Sequence, residues 1–294
     1  ISHMSVRNRP QIFNEPCMFA AISLKGIING ARVIEGQVPD WKKFGNPASG
    51  NGSAGTTYGL PRFNKAKFLA RFPFAFIDLN DDTLPLDVTI KGWSPFIPAD
   101  ADNSSLPVGG IEYTFRNRGS SRIEAVFSYN SVNFMRQPGG TPVIKPVSGG
   151  FILSEAGVKE KPWTKGDFAV FTNEPGTVVD HCWFRGSGFD PLTMTWNTIM
   201  NCEINDNKPV REGAPGASLY VPFVLNAGET KVIRLMMAWY VSETDFRYGK
   251  DPENIKGEKC SDMECSCNQP FYKPWYSGKF DDISEVIRYW MTSY

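Results

Sequence analysis

The chain has 294 residues, enough for one large β domain or two ordinary ones, and its six cysteines are too sparse for a disulfide-stapled miniature fold. Lys plus Arg and Asp plus Glu each number 31, so the net charge is zero and no long-range field draws a phosphate backbone; nucleic acid is not expected as a partner. The 27 Gly, 22 Pro and 13% aromatic residues point to many short strands joined by turns, and the richest apolar stretch, Val232 to Val241, is broken by Arg234 and is too short to span a membrane.

Ile1-Ser2-His3-Met4 reads as a cloning remnant and is set aside, with residues 5–279 expected to form one β domain. No signal peptide follows the remnant, and the compartment is left open. Gly50-Asn51-Gly52-Ser53-Ala54-Gly55 fits the dinucleotide pattern in letters only: no strand precedes it and no helix follows, so it reads as a surface loop. Phe74–Leu79 and Leu86–Lys91 are strand candidates. Around them Asp78, Asp81, Asp82, Asp87, Asp100 and Asp102 concentrate carboxylates, the residue type a glycosidase needs in pairs. Asp100, Asp102 and Asn103 offer oxygens of the kind that chelate calcium, although Asx turns explain the same residues without a metal. Trp93, beside this loop, is a candidate sugar-stacking platform.

Gly110–Asn117 and Ile123–Tyr129 alternate with period two and read as a hairpin across Arg116 to Ser121. Asp167–Thr172, Val178–Phe184 and Leu192–Ile199 are further strand candidates. On a strand, His181 and Cys182 face opposite ways and form no catalytic dyad, so His181 reads as a hydrogen-bonded structural residue. Ser218–Leu225 and Lys231–Val241 flank Asn226-Ala227-Gly228-Glu229 as a second hairpin, its later strand apolar on both faces and therefore central. Cys260, Cys265 and Cys267 bring three thiols together and could supply part of a zinc site, yet C-x4-C-x-C is no standard knuckle; a loop disulfide and free thiols stay open. The chain closes on a helix: Asp282 and Glu285 make a capping-box-like start, and Ile283, Val286, Ile287 and Trp290 recur on one face. Nothing terminates it. Two placements of that face stay open: it packs back on the sandwich, or, as the missing terminator favours, the helix leads beyond Tyr294 into a further domain and the face packs between domains. The count and spacing of strands call for an all-β fold, a large antiparallel β-sandwich of two packed sheets.

Three runs carry a family resemblance: Phe72 to Leu79; Leu84 to Pro98, with Gly92-Trp93-Ser94-Pro95-Phe96 at its centre; and Asp100 to Val108. Together with Glu112 to Asn117, Val221-Pro222-Phe223, Ala238-Trp239-Tyr240 and Tyr272 to Gly278, they make the chain similar to the N-terminal domain of glycoside hydrolase family 116. That family includes the non-lysosomal glucosylceramidase and bacterial and archaeal β-glucosidases. The resemblance implies a supersandwich-like domain over 5–279, residues 280–294 as the start of a linker helix, and then an (α/α)6 barrel holding both catalytic carboxylates. It implies no cofactor and no catalytic residue in this chain. Its partners would be that barrel and, through the whole enzyme, a β-glucoside or glycolipid. Two other readings stay open: an autonomous carbohydrate-binding module, and a hydrolase built on the acids between Asp78 and Asp102.

Overall fold

The computed structural model describes residues 18–38, 59–158, 161–244 and 273–293. Thirteen strands occur among them: β1 Met18–Leu24, β2 Ala31–Val33, β3 Lys65–Arg71, β4 Phe74–Asn80, β5 Leu86–Trp93, β6 Val108–Asn117, β7 Ile123–Val132, β8 Pro142–Val147, β9 Gly150–Glu155, β10 Gly166–Phe171, β11 Val178–Asp180, β12 Gly216–Leu225 and β13 Thr230–Tyr240. Three α-helices accompany them: α1 Ala101–Ser104, α2 Pro191–Met200 and α3 Ile283–Ser293. The strands form two antiparallel sheets, one of five in the order β11-β12-β7-β1-β2 and one of eight in the order β3-β4-β5-β6-β13-β10-β9-β8. The all-β two-sheet sandwich read from the sequence is the fold. Among the described residues, no helix is long and apolar enough to cross a membrane.

Period-two alternation builds the core directly. Ile22 and Leu24 of β1, Ala125 and Phe127 of β7, and Leu219 and Val221 of β12 face Val88, Phe115, Ile233 and Leu235 of the other sheet in one buried cluster. β13 lies between β6 and β10, as its two-sided apolarity requires: one face enters this cluster, and Met236, Ala238 and Tyr240 lie on the other under α3.

The two predicted hairpins are corrected by the sheet pairing. β6 pairs with β5 and β13, whereas β7 pairs with β1 and β12; β12 lies in the five-stranded sheet and β13 in the eight-stranded one. Each connection is an arch that crosses between sheets. The aromatic rings meet across the core instead of along a shared ladder, Tyr113 with Phe127 at 4.8 Å and Phe115 with Phe223 at 5.2 Å between centroids. Asn117, fully buried at the first arch, ties the two arches together. Its Nδ2 donates to the carbonyls of Ser121 (2.8 Å), Asn226 (3.0 Å) and Leu225 (3.3 Å), and its Oδ1 accepts from Gly119 N–H at 2.9 Å.

Two other expectations change. Residues 192–199, read as a strand, lie in α2; Asp190 caps it by accepting from the backbone N–H (2.9 Å) and hydroxyl (2.6 Å) of Thr193, and Pro191 sits in the first turn. Trp196 and Ile199 of this helix seal the outer face of the five-stranded sheet against Phe19, Ala21 and Val33. The strand predicted over 178–184 stops at Asp180, so His181 and Cys182 lie beyond it.

Candidate functional site

Most residues singled out in the sequence converge on one end of the eight-stranded sheet, at its outer face. Trp93 closes β5, and its indole crosses Gly110 of β6 so closely that a Cβ there would lie 2.8 Å from the ring. The half-buried indole meets Trp290 of α3, with centroids 5.4 Å apart and planes inclined by 57°. It is therefore engaged by another side chain and is not a free stacking platform. Asp100 caps α1: Oδ1 accepts from Asn103 N–H at 3.0 Å and Oδ2 from Asn103 Nδ2 at 2.6 Å. These bonds, with the more distant Lys279 ammonium, hold the Asp100 carboxyl below the usual carboxylate range. Asn103 in turn accepts from the Tyr289 hydroxyl of α3 at 3.2 Å. Asp102 is exposed and stands apart from this chain of contacts.

The helix forms as its sequence predicts. Asp282 Oδ1 accepts from the N–H groups of Ser284 (2.8 Å) and Glu285 (3.0 Å), while Glu285 reaches back to Asp281 N–H at 2.8 Å. Its apolar face, however, is already covered. Ile283, Val286, Ile287 and Trp290 are buried against Val108, Ile152, Ala169, Phe171 and Ala238 of the sandwich itself. Their expected place between domains is corrected accordingly: an 11-residue amphipathic helix gains most by burying its stripe on the nearest apolar sheet face. Ser284, Arg288 and Met291 make up the side that remains exposed. Before the helix, Lys279 Nζ lies over the rings of Tyr289 (4.7 Å), Trp275 (5.4 Å) and Phe280 (5.6 Å), fixing the chain's approach by cation–π contact.

The candidate acids are used structurally. Asp78 accepts from Thr89 Oγ1 at 2.9 Å; Asp87 accepts from Asn80 Nδ2 at 2.9 Å and pairs with Arg118 at 3.3 Å. Both border a shallow groove of about 320 Å³ together with Arg116 and Thr230. Asp81 is buried; although burial pushes its carboxyl up, hydrogen bonds from Thr83 and Arg32 hold it below the ordinary range. A larger cleft of about 610 Å³ lies on the other sheet, lined by Arg32, Gln37, Arg62, Trp196 and Asn201. Arg32 is committed to Asp81 at 2.9 Å and Arg62 to Glu35 at 3.2 Å.

For calcium, both Asp100 oxygens are taken by Asn103, and among the described residues no group of three or more His, Cys, Asp or Glu is placed to hold a metal ion. Cys260, Cys265 and Cys267, raised as zinc ligands, lie outside the described residues, as does the Gly50–Gly55 loop. Sequence reasoning missed one buried polar cluster, on the outer face of the five-stranded sheet. There Trp183 Nε1 donates to Ser218 Oγ at 2.8 Å, and Ser218 donates to Asn130 Oδ1 at 2.7 Å. Asp180, 1% exposed, accepts from Cys182 N–H at 3.0 Å; burial pushes its carboxyl up to about 6 against the hydrogen bonds it receives from Cys182, Asn207 and Asn205. Burial likewise lowers the His181 pKa and favours the neutral imidazole. The serines and asparagines on β7 and β12 at period two, opposite the apolar face, were the available signal.

Residues 17–294 match the family model described as "beta-glucosidase 2, glycosyl-hydrolase family 116 N-term". No curated protein matches the chain. Among solved structures, a polysaccharide lyase aligns at 9% identity and TM-score 0.30, over 77% of this chain and 26% of its own. A GH36 α-galactosidase from Geobacillus stearothermophilus aligns at 10% identity and TM-score 0.28, over 80% of this chain and 31% of its own. The chain thus spans about a quarter to a third of the length of these two structures.

Proposed function

Because the chain belongs to the N-terminal domain family of glycosyl-hydrolase family 116, we propose that it is the non-catalytic β-sandwich of a retaining β-glucosidase or glucosylceramidase-like enzyme. In this reading residues 5–279 form the sandwich and residues 280–294 begin the link to an (α/α)6 barrel in the same polypeptide. The barrel supplies both reacting carboxylates and takes the β-glucoside or glycolipid, while the sandwich covers one side of it and lends a loop to the rim of the cleft. The observation that carries the reading is the family match over 17–294.

The chemistry of the described acids agrees with it. Retaining glycosidases need two carboxyl groups about 5–5.5 Å apart, one free to attack the anomeric carbon and one to protonate the leaving oxygen. Asp78, Asp81, Asp87 and Asp100 each accept hydrogen bonds from neighbouring side chains, which leaves them poor candidates for attack on a sugar. The test compares the 294-residue chain with the full-length enzyme on an aryl β-glucoside. The chain alone is expected to be inactive and the full-length enzyme active. Turnover by the isolated chain, abolished by Asp→Asn changes at Asp78 and Asp87, would refute the reading, as would an inactive full-length protein.

A further inference from the structure

Three large apolar side chains stand out from the surface at one place. Phe72, in the β3–β4 turn, is 78% exposed; Phe96 and Ile97, in the loop after β5, are 48% and 43% exposed. Phe72 and Phe96 meet edge to face with centroids 4.7 Å apart, so the rings form one patch rather than scattered exposures. Leu69, 51% exposed, lies on the strand that leads into this turn, in register with Phe76. Single exposed hydrophobes are ordinary on a folded protein, but a contiguous cluster marks a surface that something covers.

The backbone under the patch is firmly held. Ser104 Oγ accepts from Ile97 N–H at 2.9 Å and lies 3.1 Å from Ile97 O, closing the loop on itself. The same loop is fastened to the last turns of α3: Tyr289 donates to Asn103, and Trp290 packs on Trp93, whose register partner on β4 is Phe74, two residues from Phe72. The C-terminal end of α3 therefore lies against the structure that presents the patch. A domain joined to the sandwich through α3 is delivered here at high effective concentration. A second copy of the chain or a free partner gains nothing from that tether.

We infer that the Phe72–Phe96–Ile97 patch is the surface on which the family's catalytic domain docks, an inference that rests on the proposed function. Arg71 is exposed next to Phe72, so an acidic group is expected to meet it at the rim of the docked surface, whereas Lys91 is already paired with Glu112 at 3.6 Å. Two other exposed apolar residues serve as controls: Ile28, in the β1–β2 turn, and Phe189, ahead of α2 on the five-stranded side.

Hydrogen exchange on the 294-residue chain and on the full-length enzyme tests the assignment. The amides of Phe72, Phe74, Phe96 and Ile97 should exchange at least about tenfold more slowly in the full-length protein, with those around Ile28 and Phe189 unchanged. In parallel, the double variant Phe72→Ser/Phe96→Ser should abolish that protection in the full-length enzyme and leave the unfolding midpoint of the 294-residue chain where it was. Protection confined to another face, or protection that survives the double variant, would overturn the assigned surface while leaving the proposed function intact. A full-length protein without β-glucosidase activity would refute the function, and the exchange comparison would still decide the surface.

Discussion

Asn117 offers the most direct test of how the two sheets are joined. Its carboxamide serves three carbonyls and one N–H at the meeting of the arches, with no access to solvent. Asn117→Ala leaves the Ser121 and Asn226 carbonyls and the Gly119 N–H without that partner. The Ser121 and Asn226 ends reach solvent, so the cost is that of the hydrogen bonds themselves, about 1 kcal/mol for each of the three and about 3 kcal/mol in all. Asn117→Asp is nearly isosteric but replaces the amide N–H donors with an oxygen aimed at three carbonyls; it should cost at least as much at pH 8 and recover partly in acid, where a protonated carboxyl can donate again. Urea unfolding followed by tryptophan fluorescence and by circular dichroism reads both variants, with coincident transitions required and the slope held constant so that the midpoint reports stability. A loss under 1 kcal/mol for Asn117→Ala, or an Asn117→Asp protein as stable as the parent at pH 8, would refute the arch-staple argument.

Further outcomes follow from other sites. Asp180 has a folded pKa of about 6 against an ordinary 3.8, so the native state binds its proton more tightly than the unfolded chain; the associated stability is full below pH 4 and is lost as pH rises through 6. Asp180→Asn should flatten that part of the pH–stability profile and stabilise the protein at pH 7.5 by on the order of 3 kcal/mol, a gain that shrinks toward pH 4 in thermal melts. Trp290→Ala should cost about 3–5 kcal/mol, because Trp290 is 1% exposed within the second core; rapid amide exchange along α3 would accompany it. Gly149→Ala, at φ +69° and with a Cβ 2.0 Å from the Thr172 carbonyl oxygen, should destabilise by more than about 2 kcal/mol, seen as a lower urea midpoint.

The candidate site was legible in pieces. Glu285 three residues after Asp282 announced the start of α3, and the Ile283–Val286–Ile287–Trp290 stripe announced a buried face, because capping and helical periodicity are local properties of the chain. What the stripe packs on was not local: a sheet assembled from β10 and β13, far back in the sequence, covers it. The same limit applies to Trp93. Its side chain type suggested a sugar platform, and only the approach of Trp290 from nearly two hundred residues away decided its partner. The misreading of α2 has a different cause. Leu192 to Ile199 is short and rich in Thr, which suits a strand, while Asp190-Pro191 with Thr193 is a cap-and-first-turn signature whose meaning was legible in retrospect.

Period-two alternation by itself determined which side of Gly110–Asn117, Ile123–Tyr129 and Ser218–Leu225 would be dry, since that depends only on the geometry of an extended backbone. It could not determine which strands would exchange hydrogen bonds. A five-residue connection from Arg118 to Arg122 serves a hairpin or an arch equally well, and the choice turns on free energy gathered over the whole molecule: aromatic rings meeting across the core and Asn117 satisfying both crossings at once. Sheet membership is a property of the assembled sandwich, whereas the dry face is already a property of each strand.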